Sequence, residues 1–287
     1  MTLGEALRAA ERTLVEAGIE SATVDARILV AHAARVAREK LVFEREHVLS
    51  DDAALRAKCY AARRAKHEPV SFITGHRGFW TLELQVNRST LVPRPDSETL
   101  VQAALDHFAD RDATCRVLDL GTGTGCLLLA FLSERPNATG LGVDLNARAV
   151  KLARANARSS GLGSRAEFAV GNWGRDIEGS FDLILTNPPY IREGDWSGLE
   201  DDVRLFEPTS ALLAGADGLD AYRALIDDAA RLLAPGGLFL GEVGQGQAPD
   251  LIALLERSGL AAVEVRRDIG GIERCVSATL DKNARAA

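Results

Sequence analysis

Five short apolar runs, separated by stretches of helical character, constrain this chain more than any other feature of it. Val117–Leu120, Leu141–Val143, Phe168–Val170, Leu183–Leu185 and Leu238–Leu240 each predict a buried strand. Helical segments such as Arg148–Ser159 and Ala221–Leu233 stand between them. Strand and helix repeated in this order predict an α/β fold, a mostly parallel sheet covered on both faces. Ala262–Arg266 and Cys275–Leu280 flank Gly270-Gly271 and are expected to pair antiparallel at an edge.

The first 70 residues have a different period. Leu3, Leu7, Ala10 and Leu14 recur at helical spacing with charges between them, and Gly18 is a plausible stop. A second helix is expected from Ser21 or Thr23 through Ile28, Leu29 and Val30, and Ser50 and Asp51 offer caps for a third. The third carries the basic cluster Arg63, Arg64 and Lys66, read as a solvated helix end, with a partner-contacting patch as the lesser alternative. At Pro69 the pattern changes. Trp80, Leu82, Leu84 and Val86 alternate with polar residues as in a half-buried strand, and Val70 to Ile73 is the expected partner across a Gly75–Gly78 loop. The expected organisation is a small helical bundle over 1–69, a linking β-hairpin over 70–92 and a larger α/β domain over 93–287.

Composition narrows the class. The 287 residues are 46% hydrophobic, and no run of 18 apolar residues is present to span a bilayer. Met1 to Ala10 carries Glu5 and no continuous apolar stretch, unlike a signal peptide. Residues 1–75 hold 12 Lys and Arg against 11 Asp and Glu, while the remainder holds 22 against 30. An acidic main body argues against non-specific adhesion to nucleic acid or anionic membrane. Cys59, Cys115, Cys126 and Cys275 are scattered without CxxC pairs, so neither a metal site nor a disulfide framework is expected, and a reducing cytoplasm is the default.

Three motifs carry chemistry. Asp119-Leu120-Gly121-Thr122-Gly123-Thr124-Gly125 follows a strand and opens the helix Cys126–Ser133, where glycines let a ligand approach the backbone near a helix amino terminus. It is not the dinucleotide fingerprint, because Cys126 stands where the third glycine belongs. A tight βα turn of no special role is the plainer reading. Asp144 ends the next strand, where a carboxylate accepts both hydroxyl hydrogens of a ribose or merely caps the next helix. Asn187-Pro188-Pro189-Tyr190 follows the strand Asp182–Thr186 and cannot continue it, since two prolines remove two donors. The chain therefore leaves the sheet at its carboxyl edge in a stiff, extended form. The Asn187 side-chain carbonyl, the Pro188 backbone carbonyl and the Tyr190 ring suit a planar NH2 group.

GTGTG, Asp144 and NPPY together resemble class I methyltransferases that use S-adenosylmethionine. More narrowly, the chain resembles the HemK/PrmC family, which methylates glutamine in peptide chain release factors. The resemblance covers nearly the whole length. It includes Glu68-Pro69-Val70, Ile73-Thr74-Gly75, Leu91-Val92-Pro93-Arg94-Pro95-Asp96-Ser97-Glu98, Asp202-Val203-Arg204, Phe206-Glu207-Pro208 and Glu273-Arg274. It implies a Rossmann-like, mostly parallel seven-stranded methyltransferase domain preceded by a substrate-recognition bundle.

By position, Gly121, Thr122, Gly123, Thr124 and Gly125 are expected to line the methionine and ribose part of S-adenosylmethionine. Asp144 is expected at the ribose hydroxyls, and Asn172 and Trp173 on the adenine side, where the family often places an acidic residue first. Asn187, Pro188, Pro189 and Tyr190 are expected to hold the glutamine amide. Of these, Asn187, Pro188 and Tyr190 carry the catalytic role, and Asn187 also borders the cofactor. Arg94 and Glu98 either border the active site or form structural ion pairs beneath the hairpin. The implied product is S-adenosylhomocysteine, the implied partner a class 1 release factor, and the expected state a monomer.

Two rival enzymes use the same NPPY logic. One methylates glutamine in a large-subunit ribosomal protein; PRPDSE and the form of the N-terminal region favour the release-factor branch. The other methylates adenine in nucleic acid and would need a basic groove, which an acidic main domain does not supply. The acidic run Glu200-Asp201-Asp202 is expected to be a solvated loop.

Overall fold

The computed structural model describes residues 1–281; the last residues of the expected 93–287 domain, 282–287, lie outside the described part. The chain forms two compact units, one of residues 1–76 with 199–206, the other of residues 77–198 with the chain from 207 onward.

In the first unit, α1 (Leu3–Glu16) begins with a capping box in which Thr2 accepts from the Glu5 amide and Glu5 accepts from the Thr2 amide. α2 (Ala22–Ala34), the single turn α3 (Lys40–Phe43) and α4 (Asp51–Arg64) follow, with Ser50 capping α4 as its sequence suggests. Leu3, Leu14, Ala26, Leu29, Val30, Ala57 and Ala61 form its core, and the alanines let the helices approach closely.

The basic cluster at the end of α4 is not the solvated helix end its sequence suggests. The Arg64 guanidinium donates to Asp25 at 2.8 Å with both side chains about one-tenth exposed, and it lies 3.8 Å from Asp202. Arg63 forms a two-pronged pair with Glu68 at 2.7 and 2.8 Å, and only Lys66 stays in solvent. Burial without a partner is too costly for a carboxylate, so Asp25 fixes where the end of α4 sits. Asp25→Ala, which leaves the Arg64 charge buried without its closest partner, is expected to lower unfolding stability by about 3 kcal/mol in a denaturant titration.

Val70 to Ile73 is not a strand. The segment forms the short helix α5 (Val70–Thr74), because Pro69 sets a helical entry, Thr74 bonds back to the Val70 carbonyl, and Gly75 at φ 79° ends the turn. Local bonds satisfy the backbone that β-branched side chains would otherwise offer to a partner strand. The hairpin is instead β1 (His76–Phe79) with β2 (Leu82–Gln85), turning at Trp80 and Thr81.

The second unit continues with α6 (Glu98–His107), β3 (Arg116–Leu120), α7 (Cys126–Glu134), β4 (Thr139–Asp144), α8 (Ala147–Ser159), β5 (Ala166–Val170) and β6 (Phe181–Thr186). After α9 (Asp201–Phe206), which belongs to the first unit and is helical rather than the loop expected at Asp201 and Asp202, come α10 (Asp220–Leu232) and β7 (Leu233–Glu242). α11 (Ala248–Arg257), β8 (Leu260–Arg267) and β9 (Glu273–Leu280) complete it.

The seven strands run in the order β5-β4-β3-β6-β7-β9-β8, parallel except for β9, which is antiparallel to both its neighbours. Alternate side chains feed two cores. Val117, Leu183, Leu185 and Leu240 pack with Leu100, Leu128 and Phe131, while Leu118, Leu120, Ile184 and Phe239 pack with Tyr222, Leu225 and Leu251. From β3 the chain winds outward to β5 and then returns to β6 on the other side of β3. That reversal opens a crevice beyond the carboxyl ends of β3 and β6.

One buried polar residue ties the hairpin to this crevice. Asn156 on α8, fully buried, accepts from the Gln85 amide at 2.8 Å and donates to the carbonyls of Gln85 at 3.1 Å and Thr124 at 2.9 Å.

Candidate active site

Strand ends build the site. β3 stops at Leu120 and the chain turns through Gly121 and Gly125 at φ 76° and 83°, a left-handed conformation that favours glycine. A Cβ on Gly121 would stand 3.1 Å from the Trp173 ring, a tight contact that the ring would have to yield to. Thr122 and Thr124 are buried, and the Thr122 hydroxyl donates to Asp119 at 2.6 Å. These threonines shape the loop from within. Asp119 lies beneath it, and burial pushes its carboxyl up to about 7, against the pull of the Thr122 bond.

Asp144 ends β4 facing the same crevice. Its Oδ2 accepts from the Gly123 amide at 2.9 Å and its Oδ1 from the Asn146 amide at 2.8 Å. Each oxygen keeps room for one more donor. Asn146, not Asp144, caps α8, by accepting from the Arg148 amide. Burial raises the Asp144 carboxyl, and the two backbone donors oppose it. Beyond β5, Gly171 bonds to the Asp144 carbonyl and leads to Asn172 and Trp173. Trp173 sits at φ 54°, unfavourable for a bulky residue, a kind of strain that gathers at ligand sites when packing holds it in place.

At the end of β6 the Thr186 hydroxyl bonds the Leu120 carbonyl at 2.8 Å, locking the two strand ends together. Asn187 follows, and its Nδ2 donates to the Ser97 hydroxyl at 3.0 Å. That bond turns the Asn187 carbonyl oxygen away from Ser97. Pro188 is buried, Tyr190 donates its hydroxyl to Glu242 at 3.2 Å, and Gln247 holds the Tyr190 carbonyl at 3.0 Å. Ile191 then pairs with the 212–214 segment, so both ends of the double-proline corner are anchored.

Gly121, Gly123, Asp144, Asn172, Trp173, Asn187 and Pro189 line one cavity of about 420 Å³. Thr122, Thr124, Gly125, Pro188 and Tyr190 do not line it; the first three build the loop, and Pro188 and Tyr190 belong to the corner itself. Leu91 and Pro208 contribute further wall. Neither Arg94 nor Glu98 lines the cavity, and both make structural bonds. Arg94 pairs with the buried Glu207 at 2.6 Å, and Glu98 accepts from the Trp80 amide at 2.8 Å.

Sequence reasoning passed over Ser97 and Glu242. Ser97 lies inside the PRPDSE segment and makes the direct bond to Asn187. Glu242 closes the apolar run of β7, as Asp144 closes β4, and β7 pairs with β6 one residue before Asn187, at Thr186 and Gly241. A carboxylate at the end of a buried strand was the available signal.

Residues 5–75 match the family model described as the PrmC N-terminal domain, and residues 96–214 match that of the methyltransferase small domain. The chain is 46% identical over 278 residues to the release factor glutamine methyltransferase of Rhodospirillum rubrum, covering 97% of this chain and 85% of that one. It is 44% identical over 280 residues to the protein of the same name from Cereibacter sphaeroides, covering 98% and 99%. A crystal structure of a methyltransferase from Pyrococcus furiosus shares the fold, with a TM-score of 0.52 at 18% identity over 70% of this chain and 89% of that one.

Proposed function

The chain belongs to the release factor glutamine methyltransferase (HemK/PrmC) family, and from that premise we propose how its residues divide the work. It transfers a methyl group from S-adenosylmethionine to the side-chain amide nitrogen of the glutamine in the Gly-Gly-Gln loop of class 1 release factors. One observation carries the assignment of roles. The Asn187 carboxamide, its NH2 tied to Ser97, stands in the wall of the cavity that Asp144 and Trp173 also line.

The cavity suits the cofactor in kind. Asp144 retains acceptor capacity for two ribose hydroxyls, Trp173 and Asn172 offer a flat apolar face and an amide for the base, and Gly121 and Gly123 keep the floor low. When bound, the cofactor supplies a methyl already activated by a sulfonium.

An amide nitrogen is a weak nucleophile because its lone pair is shared with the carbonyl. The Asn187 Oδ1 and the Pro188 carbonyl accept the two N–H bonds and hold the NH2 in one orientation. As the nitrogen becomes positive in the transition state, these fixed acceptors bind it more tightly than they bind the ground state. The cationic nitrogen then loses its acidic proton to solvent, so no strong base is needed. The 1–69 bundle recognises the protein substrate, and the chain works in the cytoplasm. Among the described residues no helix is long and apolar enough to cross a membrane.

Mass spectrometry of a release factor incubated with the protein and cofactor tests this reading. A gain of one methyl on the Gly-Gly-Gln glutamine is expected. An unmodified factor, or a methyl elsewhere, would refute it. A chain beginning at Arg77 is expected to bind the cofactor with unchanged affinity by calorimetry and to leave intact release factor largely unmethylated.

A further inference from the structure

We propose that Glu242, acting through Ser97, is a positioning residue that fixes which face of the Asn187 carboxamide meets the substrate. The inference rests on the function above and deepens it.

A side-chain amide can present either its oxygen or its NH2, and only the oxygen is useful to a substrate NH2 group. Asn187 itself does not choose. Its one side-chain partner is the Ser97 hydroxyl, which can accept from Nδ2 or donate to Oδ1. What decides is where the Ser97 proton goes. If Ser97 donates it elsewhere, its oxygen can only accept from Asn187, and the amide oxygen is turned to the cavity.

A buried carboxylate oxygen without a partner is the candidate for that proton. Glu242 is 1% exposed; its Oε1 accepts from Tyr190, while Oε2 is buried and makes no hydrogen bond among the described residues. Among the described residues Ser97 and Glu242 share no formed hydrogen bond, but the Ser97 hydroxyl is one of the groups that act on this carboxyl, and Oε2 is the oxygen left open to its proton. Burial pushes Glu242 up to about 7, and the Ser97 and Tyr190 hydroxyls and the Arg274 charge pull the other way. Ionised, Glu242 accepts the Ser97 proton and the Asn187 oxygen faces the substrate. Protonated, it can donate to Ser97, which then donates to Asn187 and reverses the amide. Activity therefore needs the ionised form and is lost as pH falls through the Glu242 pKa.

The remaining groups around Glu242 do not mimic this behaviour. Cys126 and Cys275 are held at about 12 by burial, and Tyr190 and Tyr222 are raised, so all four stay neutral near pH 7. Tyr222 donates to the Glu242 backbone carbonyl, not to the carboxyl. Arg274 is raised and stays charged, and Asp96 acts on Glu242 as a like charge. Asp119 also titrates at about 7, but it lies under the glycine loop and bonds Thr122.

The test is kcat for release factor methylation against pH in wild type, Glu242→Gln and Ser97→Ala, at saturating cofactor. Wild type is expected to fall about tenfold per pH unit on the acid side of a midpoint near 7. Glu242→Gln is expected to lose that limb while keeping cofactor affinity. Ser97→Ala is expected to lose the limb and about tenfold in kcat, less than removal of a contacting group costs. A limb that persists in Glu242→Gln points to Asp119 and overturns the proposal, as does Ser97→Ala with wild-type kcat. So does an equal loss at all pH with weakened cofactor binding, which marks a structural role alone. Wild-type protein that leaves the factor unmethylated at every pH overturns the function itself, and this role with it.

Discussion

Asn187→Ala is expected to reduce kcat by about 10²- to 10³-fold while cofactor affinity stays close to wild type. With Glu242 ionised, the alanine removes an acceptor whose orientation is set before substrate arrives, since Nδ2 is then committed to Ser97. A flexible acceptor would have to be ordered during the reaction, and a fixed one does not, which is why its loss falls on kcat. Neither the strand-end lock between Thr186 and Leu120 nor the anchorage of Tyr190 by Gln247 depends on Asn187, so the corner should keep its shape. Single-turnover kinetics combined with calorimetry of cofactor binding checks both halves. Near-normal turnover would remove Asn187 from the chemistry.

Asp144→Ala is expected to weaken cofactor binding by about 3 kcal/mol or more, from two charge-assisted hydrogen bonds at about 1.5 kcal/mol or more each. The carboxylate also receives the Gly123 and Asn146 amides, so the substitution leaves two backbone donors without their acceptor and loosens the glycine loop. The signature is the reverse of Asn187→Ala. Affinity collapses, and kcat at saturating cofactor changes far less. Calorimetry that finds wild-type affinity would dissociate Asp144 from the ribose.

The contrast between these two variants reflects what sequence can and cannot reveal. The five apolar runs placed β3 to β7 correctly because buried parallel strands need continuous apolar sequence, and that need is local. Gly121, Asp144 and Asn187 were legible because each sits where a strand must end. Val70–Ile73 was misread because its strand-like side chains were overruled by Pro69, Thr74 and Gly75, whose local bonds close a helical turn. Arg64 was misread because its partner Asp25 is 39 residues away, and no spacing rule connects them. Ser97 and Glu242 escaped for the same reason, since 90 residues separate Ser97 from Asn187. Long-range polar pairing is a property of the folded chain, and periodicity carries no trace of it.

Asn156 has a consequence that reaches past its own hydrogen bonds. One carboxamide plays the part of a neighbouring strand for Gln85 and, with its second amide hydrogen, grips the carbonyl of Thr124. The ribbon and the glycine turn are thus joined through one side chain, so a change at either alters a hydrogen-bond partner that the other shares. Aspartate lacks the hydrogens and leucine lacks both kinds of group, so no other residue of that size can fill the post.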